Sequence, residues 1–148
     1  MNENPVIVEQ TINAPVERLW DALTDNDQMK QWYFPLPEFK AEKGFEFSFT
    51  GGPDEHRQYT HHCRIVDLVP QKRLSYTWSY EGYAGKSVVT FELIPEEFPG
   101  SDREITIVRV THEGLETFPA DVPDLAAHNF EAGWKDILGN SLKKFAEK

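Results

Sequence analysis

The chain has 148 residues, with 15 basic and 25 acidic side chains that give it a net charge of −10. Aromatic residues make up 13% of the sequence, which excludes a disordered acidic segment because such segments are poor in aromatic side chains. The charge argues against nucleic acid as a primary partner, since nucleic-acid binding requires a concentrated face of Lys and Arg. The length fits one domain, which we expect to span residues 1–148.

The single cysteine, Cys63, excludes a disulfide within the chain and a metal cluster of several cysteines. Residues 1–10 lack a basic segment followed by an apolar run, so we expect no signal peptide. No run approaches the roughly 18 consecutive apolar residues of a membrane span. These features predict a cytoplasmic protein with no membrane partner.

A strand and two short helices are predicted first. The β-branched run from Pro5 to Ile12 is typical of a strand, and Pro15 after it suits the first turn of a helix. That helix has one apolar face, formed by Val16, Leu19, Trp20 and Leu23. Asp25, with Gln28 three residues later, resembles a capping box and predicts a second helix over residues 26–31.

Residues 39–112 have the two-residue period of β-strands. In the clearest example, Leu74, Tyr76, Trp78 and Tyr80 alternate with small polar residues. Turn residues separate successive strands, which predicts an antiparallel meander of five or six strands after the first one.

One long amphipathic helix is predicted at the end of the chain. Asp121 and Asp124 are placed at its start, and lysines near its end match the helix dipole. Its apolar stripe is Leu125, Phe130, Trp134, Ile137, Leu138, Leu142 and Phe145. At roughly 25 residues it would be about 37 Å long, enough to cover the concave face of a curved sheet. The predicted fold class is α+β.

Several segments, in this order, resemble a known family. They are Ala14-Pro15-Val16 with the helix that follows, Trp32-Tyr33, residues 70–78, residues 111–115 and Gly133-Trp134. The sequence resembles the bacterial branch of the family named for the activator of heat-shock-protein-90 ATPase, in the START-like (SRPBCC) helix-grip superfamily. The resemblance spans residues 6–147. It implies a helix-grip fold, with a curved sheet of six to seven antiparallel strands around the C-terminal helix.

The resemblance also implies several classes of function. The superfamily includes carriers of lipids, sterols and hormones, polyketide aromatase/cyclases and the chaperone-activating domain, and its members share an apolar cavity between sheet and helix. The family has no fixed catalytic residues to transfer to this chain. The eukaryotic activators carry a separate N-terminal domain that contacts the chaperone, and nothing in this sequence corresponds to it.

Six aromatic residues are candidate contacts for a ligand in such a cavity. They are Phe47, Phe49, Tyr76, Trp78, Phe91 and Trp134, which occupy the apolar phase of their strands or helix. Either they pack the core or several of them line a pocket. An empty cavity of about 300 Å³ would cost roughly 7 kcal/mol, against a total stability of about 5–15 kcal/mol. We therefore expect the space to hold these rings, water or a ligand.

His112 is the candidate polar residue of the site. It ends the apolar phase of its strand, and it is either a hydrogen-bonded structural residue or a group that orients the polar end of a ligand. His61 and Cys63 share a face and could join His112 at a zinc ion, but no close-spaced signature supports such a site. We expect no metal and no cofactor.

The run Trp32-Tyr33-Phe34-Pro35 is the last candidate. These bulky residues either close one end of the cavity or form a contact with a partner or a second copy of the chain.

Three functions follow in order of preference. The first is non-catalytic binding of a small apolar or amphipathic molecule between sheet and helix. The second is docking on, or stimulation of, a heat-shock-protein-90-type chaperone ATPase. The third is an aromatase- or cyclase-like enzyme, which requires a water-accessible cavity and a titrating His112. We expect a monomer or weak homodimer.

Overall fold

Six antiparallel strands form one sheet in the computed structural model, which describes residues 5–33, 36, 38–54, 56–96 and 104–147. The strands are β1 Val6–Ile12, β2 Glu46–Asp54, β3 Arg57–Val69, β4 Arg73–Tyr80, β5 Ser87–Glu96 and β6 Ile105–Glu113. Their order across the sheet is β1-β6-β5-β4-β3-β2, so β2 to β6 form a meander and β1 pairs with the last strand. The predicted α+β helix-grip architecture is confirmed, with six strands.

Two short helices follow β1, as predicted: α1 (Val16–Thr24) and α2 (Asn26–Trp32). The Asp25 carboxylate accepts a hydrogen bond from the Asp27 amide at 3.0 Å and so caps α2. The predicted capping box is incomplete. The Asp25 amide donates to the Asp21 carbonyl at the end of α1, so the Gln28 side chain bonds the Asp25 carboxylate instead.

The C-terminal helix begins later than predicted. It consists of α3 (Ala127–Asp136), a π-helical segment (Ile137–Leu142) and α4 (Lys143–Ala146), 20 residues in all. A 3₁₀ turn, Pro123–Leu125, occupies the region predicted as its start, and another, Leu115–Thr117, precedes that region. The helix cannot extend through Ala126, whose backbone is extended with φ −72° and ψ 147°. Among the described residues, no helix combines the length and apolar composition that a membrane crossing needs.

The core lies between the concave face of the sheet and the C-terminal helix. Alternate strand residues point inward and are buried, including Val89, Val108 and Val110, while Leu138 and Leu142 of the helix are fully buried. Most outward side chains are polar, as in the ion pairs of Arg109 with Glu9 and Glu92, and Ile7 and Val66 are exposed apolar exceptions. This alternation gives the sheet one apolar face, which the helix covers.

Arg18 of α1 fixes the end of the C-terminal helix. Its guanidinium donates hydrogen bonds to the carbonyls of Ala146, at 2.8 Å, and of Phe145, at 3.0 Å, and it lies 5.2 Å from the centre of the Phe145 ring. A cation at a helix C-terminus satisfies free carbonyls and opposes the negative end of the helix dipole. The short helices and the long helix are therefore joined directly.

Candidate functional site

The seven candidate residues form one buried group, which we call the aromatic cluster: Phe47, Phe49, Tyr76, Trp78, Phe91, His112 and Trp134. Each is at most 7% exposed. Ring contacts with centroid distances of 5.1 to 5.9 Å connect all seven. The sequence therefore identified side chains that the fold brings together.

The rings of the aromatic cluster pack against one another. Trp134, from the helix, meets Trp78 and Phe91 edge-on at 5.7 and 5.5 Å. Phe47 meets Tyr76 in the same way at 5.1 Å. Edge-to-face pairs of this kind contribute about 0.5–1.5 kcal/mol beyond the burial of their area. The rings thus fill much of the space between sheet and helix.

His112 is held by three other residues of the core. The indole N–H of Trp134 donates to Nδ1 of His112 at 3.1 Å, so Nδ1 carries no proton. The proton is then on Nε2, which donates to Oγ of Ser87 at 2.7 Å. The Ser87 hydroxyl donates in turn to the Trp78 carbonyl at 3.0 Å. Both ring nitrogens of His112 therefore have protein partners.

Burial keeps His112 neutral. Burial disfavours the imidazolium and lowers the pKa of His112 to about 3. The hydrogen bonds of both ring nitrogens are those expected of the structural role, one of the two roles considered for His112. It does not show the solvent-accessible, titrating imidazole that the aromatase/cyclase hypothesis requires.

His61 adds a further ring that the sequence did not assign to the site. It stacks on Phe49 with ring centroids 4.4 Å apart and meets Trp78 edge-on at 4.9 Å. Burial lowers its pKa to about 4. The sequence leaves two roles open for His61, a zinc ligand with Cys63 and His112 or a surface or core histidine, and the structure places it in the core. Among the residues that the structure describes, no three His, Cys, Asp or Glu side chains gather closely enough for a metal ion.

Cys63 has no activated thiol. It is buried on the inner face of β3, and burial raises its pKa. A thiol that is not ionised is a poor nucleophile.

The part of the Trp32-to-Pro35 run that the structure describes is turned inward. Trp32 is buried, and its indole N–H donates to the Ala22 carbonyl at 2.8 Å. The hydroxyls of Tyr33 and Tyr76 lie 2.7 Å apart, so Tyr33 contacts the aromatic cluster. Phe34 and Pro35 lie outside the described residues. The described residues of the run thus pack against the core.

An apolar cleft, which we call the end cleft, lies where the segment after β6 meets the start of α3. Its volume is about 350 Å³, and its lining residues are Leu115, Glu116, Phe118, Pro119, Ala120, Val122, Leu125, Ala126 and Ala127. The cleft is not evident from the sequence, because the helical spacing extends the predicted helix back to Asp121, over part of the cleft lining. Pro119 and Pro123, which interrupt helices, were the signal that could have found it.

Ring contacts link the end cleft to the aromatic cluster. Phe118, in the cleft wall, stacks on Phe130 with centroids 6.1 Å apart, and Phe130 meets His112 edge-on at 5.0 Å. Phe118 also packs against Tyr80 at 5.3 Å. The cleft wall is therefore connected to the aromatic cluster through Phe118 and Phe130, although no residue of the cluster lines the cleft.

Polar contacts pin the segment that forms the end cleft. The Thr117 hydroxyl accepts from the Lys86 amide and contacts the Lys86 carbonyl, both at 2.9 Å. The Tyr59 hydroxyl donates to the Asp124 carboxylate at 2.7 Å. Gly85 lies so close to Thr117 that a Cβ there would overlap the Thr117 carbonyl. The segment that forms the cleft wall is thus attached at Thr117 to the residues before β5 and at Asp124 to β3.

Comparison with known proteins places the chain in a family. Residues 13–147 match the family described as activator of Hsp90 ATPase homolog 1-like protein. The chain belongs to this family. The match covers nearly the whole chain and agrees with the helix-grip fold. The sequence search found no match among curated proteins.

Solved structures resemble this member of the family. A protein from Mesorhizobium loti is 28% identical, with a TM-score of 0.72 and 95% of each chain covered. A protein from Chromobacterium violaceum is 22% identical, with a TM-score of 0.77 and 99% of each chain covered. DynU16, from the dynemicin biosynthetic locus, is 23% identical with a TM-score of 0.74, covering 99% of this chain and 48% of its own. The last two likenesses show the fold alone.

Proposed function

We propose that this family member binds a small apolar or amphipathic molecule at the junction of the sheet and the C-terminal helix, without catalysis. The end cleft carries the proposal. Its volume of about 350 Å³ falls in the range of about 300–1,000 Å³ typical of small-molecule sites. Leu115, Phe118, Val122 and Leu125 give it apolar walls, which such sites also have.

The charge of the lining favours one kind of ligand. Among the residues lining the end cleft, Glu116 alone is charged, and it is exposed. The whole chain carries a net charge of −10. A ligand with a neutral or cationic polar end avoids repulsion at Glu116, whereas a carboxylate at the same place does not.

We place the aromatic cluster on the inner side of the proposed site, behind its wall. Phe118 in the wall contacts Phe130, Phe130 contacts His112, and Trp134 and Trp78 lie next to His112. His112 acts there by holding the Trp134 indole in place. Phe47, Phe49, Tyr76 and Phe91 are proposed as the more distant apolar contacts.

Binding is tested with three ligands that differ only in the polar end: decylamine, decanol and decanoate. We expect amide and indole N–H shifts in NMR spectra at residues 115–127 and at Trp134, with decanoate binding most weakly. Ala120→Trp fills the end cleft from an exposed position, and Ala132→Trp makes the same change at an exposed position outside its lining. Ala120→Trp should abolish binding and Ala132→Trp should leave it intact. Equal loss in both variants, or shifts elsewhere, would contradict the proposal.

Docking on a chaperone ATPase is the second candidate, because the matching family is named for such an activity. It is tested by adding the protein at saturation to the host's heat-shock-protein-90-type chaperone and measuring ATP hydrolysis. Stimulation that survives Ala120→Trp would favour this function over ligand binding. A single domain over residues 1–148, a cytoplasmic location and a monomeric or weakly dimeric state stay predictions.

A further inference from the structure

Three cations lie together on the convex face of the sheet, on the side opposite the aromatic cluster. Lys43, Arg64 and Lys86 line one cleft of about 390 Å³. Arg64 and Lys86 also line a second cleft of about 440 Å³, and Thr77 is shared by both. We call Lys43, Arg64 and Lys86 the basic patch.

The register of the strands determines which face of the sheet carries the basic patch. The inward side chains of β3 alternate with outward ones, so Arg64 points away from the core, opposite Glu46 of β2. The Arg64 amide donates to the Thr77 hydroxyl at 2.9 Å, which joins β3 to β4 beside the clefts. Lys43 precedes β2, and Lys86 lies just before β5. Three separate parts of the chain thus converge on one surface.

The cations of the basic patch form no close ion pair of the kind that other arginines of the same sheet have, although Lys43 interacts electrostatically with Asp67. Arg73 pairs with Asp67 at 2.6 Å, and Arg109 pairs with Glu9 at 2.5 Å. Within the described part of the chain, no ion pair involves Lys43, Arg64 or Lys86. Such a concentration of unpaired cations is notable in a chain with ten more acidic than basic residues.

Neutral donors complete the surroundings of the patch. The hydroxyls of Ser48 and Thr77 belong to residues that line the larger cleft, whereas the Ser79 hydroxyl in the same lining donates to the His62 carbonyl at 3.3 Å. The Thr77 oxygen accepts the Arg64 amide, so its own proton is available to an incoming oxygen. His62 also lines this cleft, with Nε2 3.9 Å from a Glu81 carboxylate oxygen. Hydroxyls beside cations are the donors that bind phosphate oxygens.

The net charge of the residues that line the two clefts indicates which class of ligand they would bind. Three cations with Glu46 as the acidic residue in the lining leave a surplus of two positive charges. We propose that the basic patch binds a phosphate dianion, either free or as a phosphate monoester. The Arg64 guanidinium presents paired N–H donors that match two phosphate oxygens, while Lys43 and Lys86 supply point charges.

Binding is measured by NMR titration with inorganic phosphate at constant ionic strength set by chloride, because screening affects exposed charges. We expect saturable shifts at residues 43–48, 62–66, 77–79 and 86. Arg64→Gln should weaken binding at least fivefold, and Lys86→Gln should weaken it less. Arg109→Gln is the matched control, since it removes the same charge from an arginine of the same sheet that is already paired. It should change the affinity less than twofold.

A parallel titration with glycerol 3-phosphate separates the two sources of the phosphate group. Tighter binding of the ester than of inorganic phosphate identifies a monoester ligand, and the reverse identifies free phosphate. Either result supports the proposal if the Arg64→Gln variant no longer binds one of the two compounds more tightly than the other. Absence of saturable shifts with both compounds overturns it, as does equal weakening by Arg64→Gln and Arg109→Gln. Neither outcome bears on the end cleft, whose test uses different ligands and variants.

Discussion

Acidification is expected to destabilise the protein through two buried histidines. His112 is fully buried and His61 is 5% exposed, and burial lowers their pKa values to about 3 and about 4. In the unfolded chain, both have an ordinary pKa near 6.5. Below pH 6.5 the unfolded state therefore binds more protons than the folded state. Stability is fully present above pH 6.5 and is lost as the pH falls below it.

The size of the loss follows from proton linkage. A difference of one pH unit is worth about 1.36 kcal/mol for each proton bound on unfolding. At pH 5, which is about 1.5 units below the unfolded pKa, each histidine costs about 2 kcal/mol, or about 4 kcal/mol together. Because pH 5 lies above the pKa values of both histidines in the folded state, the calculated loss of stability depends mainly on their pKa in the unfolded state. Asp67 and Glu147, whose pKa values are lowered by hydrogen bonds, lose their contribution only at more acidic pH.

Urea unfolding at pH 7.5 and pH 5.0 measures this effect. The free energy of unfolding should fall by about 4 kcal/mol between the two conditions. His112→Gln and His61→Gln should each reduce the fall to about 2 kcal/mol, whatever they do to stability at pH 7.5. His128→Gln, at an exposed position of α3, is the control and should leave the fall unchanged.

The reasoning is refuted if stability at pH 5.0 equals stability at pH 7.5. It is also refuted if the His112→Gln variant keeps the full pH dependence, because the neutral imidazole in the Trp134–His112–Ser87 network would then not be the source.

Three further features are tested by four substitutions, one of them a control, each by urea unfolding at pH 7.5. Gly85→Ala should cost about 2–4 kcal/mol, because the residue has φ +102° and its Cβ would overlap the Thr117 carbonyl. Gly82→Ala, at φ +83° with open space around it, should cost only about 1–2 kcal/mol; equal losses would contradict the overlap. Ser87→Ala should cost about 2 kcal/mol, since it removes the acceptor of a buried imidazole N–H, and a neutral result would refute the assigned tautomer. Arg18→Met should cost about 1 kcal/mol, because it leaves two carbonyls at the end of the C-terminal helix without their hydrogen-bond donor. An unchanged midpoint of urea unfolding would refute a stabilising role for this contact.

The sequence predicted the parts of the fold that depend on periodicity. Strict alternation in Leu74 to Tyr80 placed Tyr76 and Trp78 on the inner face, and helical spacing placed Trp134 opposite them. Each of these side chains has its direction set by its own strand or helix. Residues that share the apolar phase of adjacent elements must meet in the core, so the aromatic cluster was predictable.

The end cleft was not predictable in the same way. Its walls come from irregular backbone between Gly114 and Ala126, where direction depends on single φ and ψ values rather than on a repeat. The apolar residue Leu125 fits the helical stripe by spacing although it lies in a 3₁₀ turn. The hydrogen bonds of His112 were also hidden, since Ser87 and Trp134 are distant in sequence and meet it only in the folded core.

The central claim is that a ligand occupies the end cleft against the aromatic cluster. Isotope-filtered NOE spectroscopy of the labelled protein with unlabelled decylamine tests it most directly, because it reports contacts between ligand protons and individual side chains. We predict NOEs from the decyl chain to the side chains of Leu115, Phe118 and Leu125, and their loss in Ala120→Trp. NOEs confined to other surfaces, or NOEs that persist unchanged in Ala120→Trp, would contradict the claim.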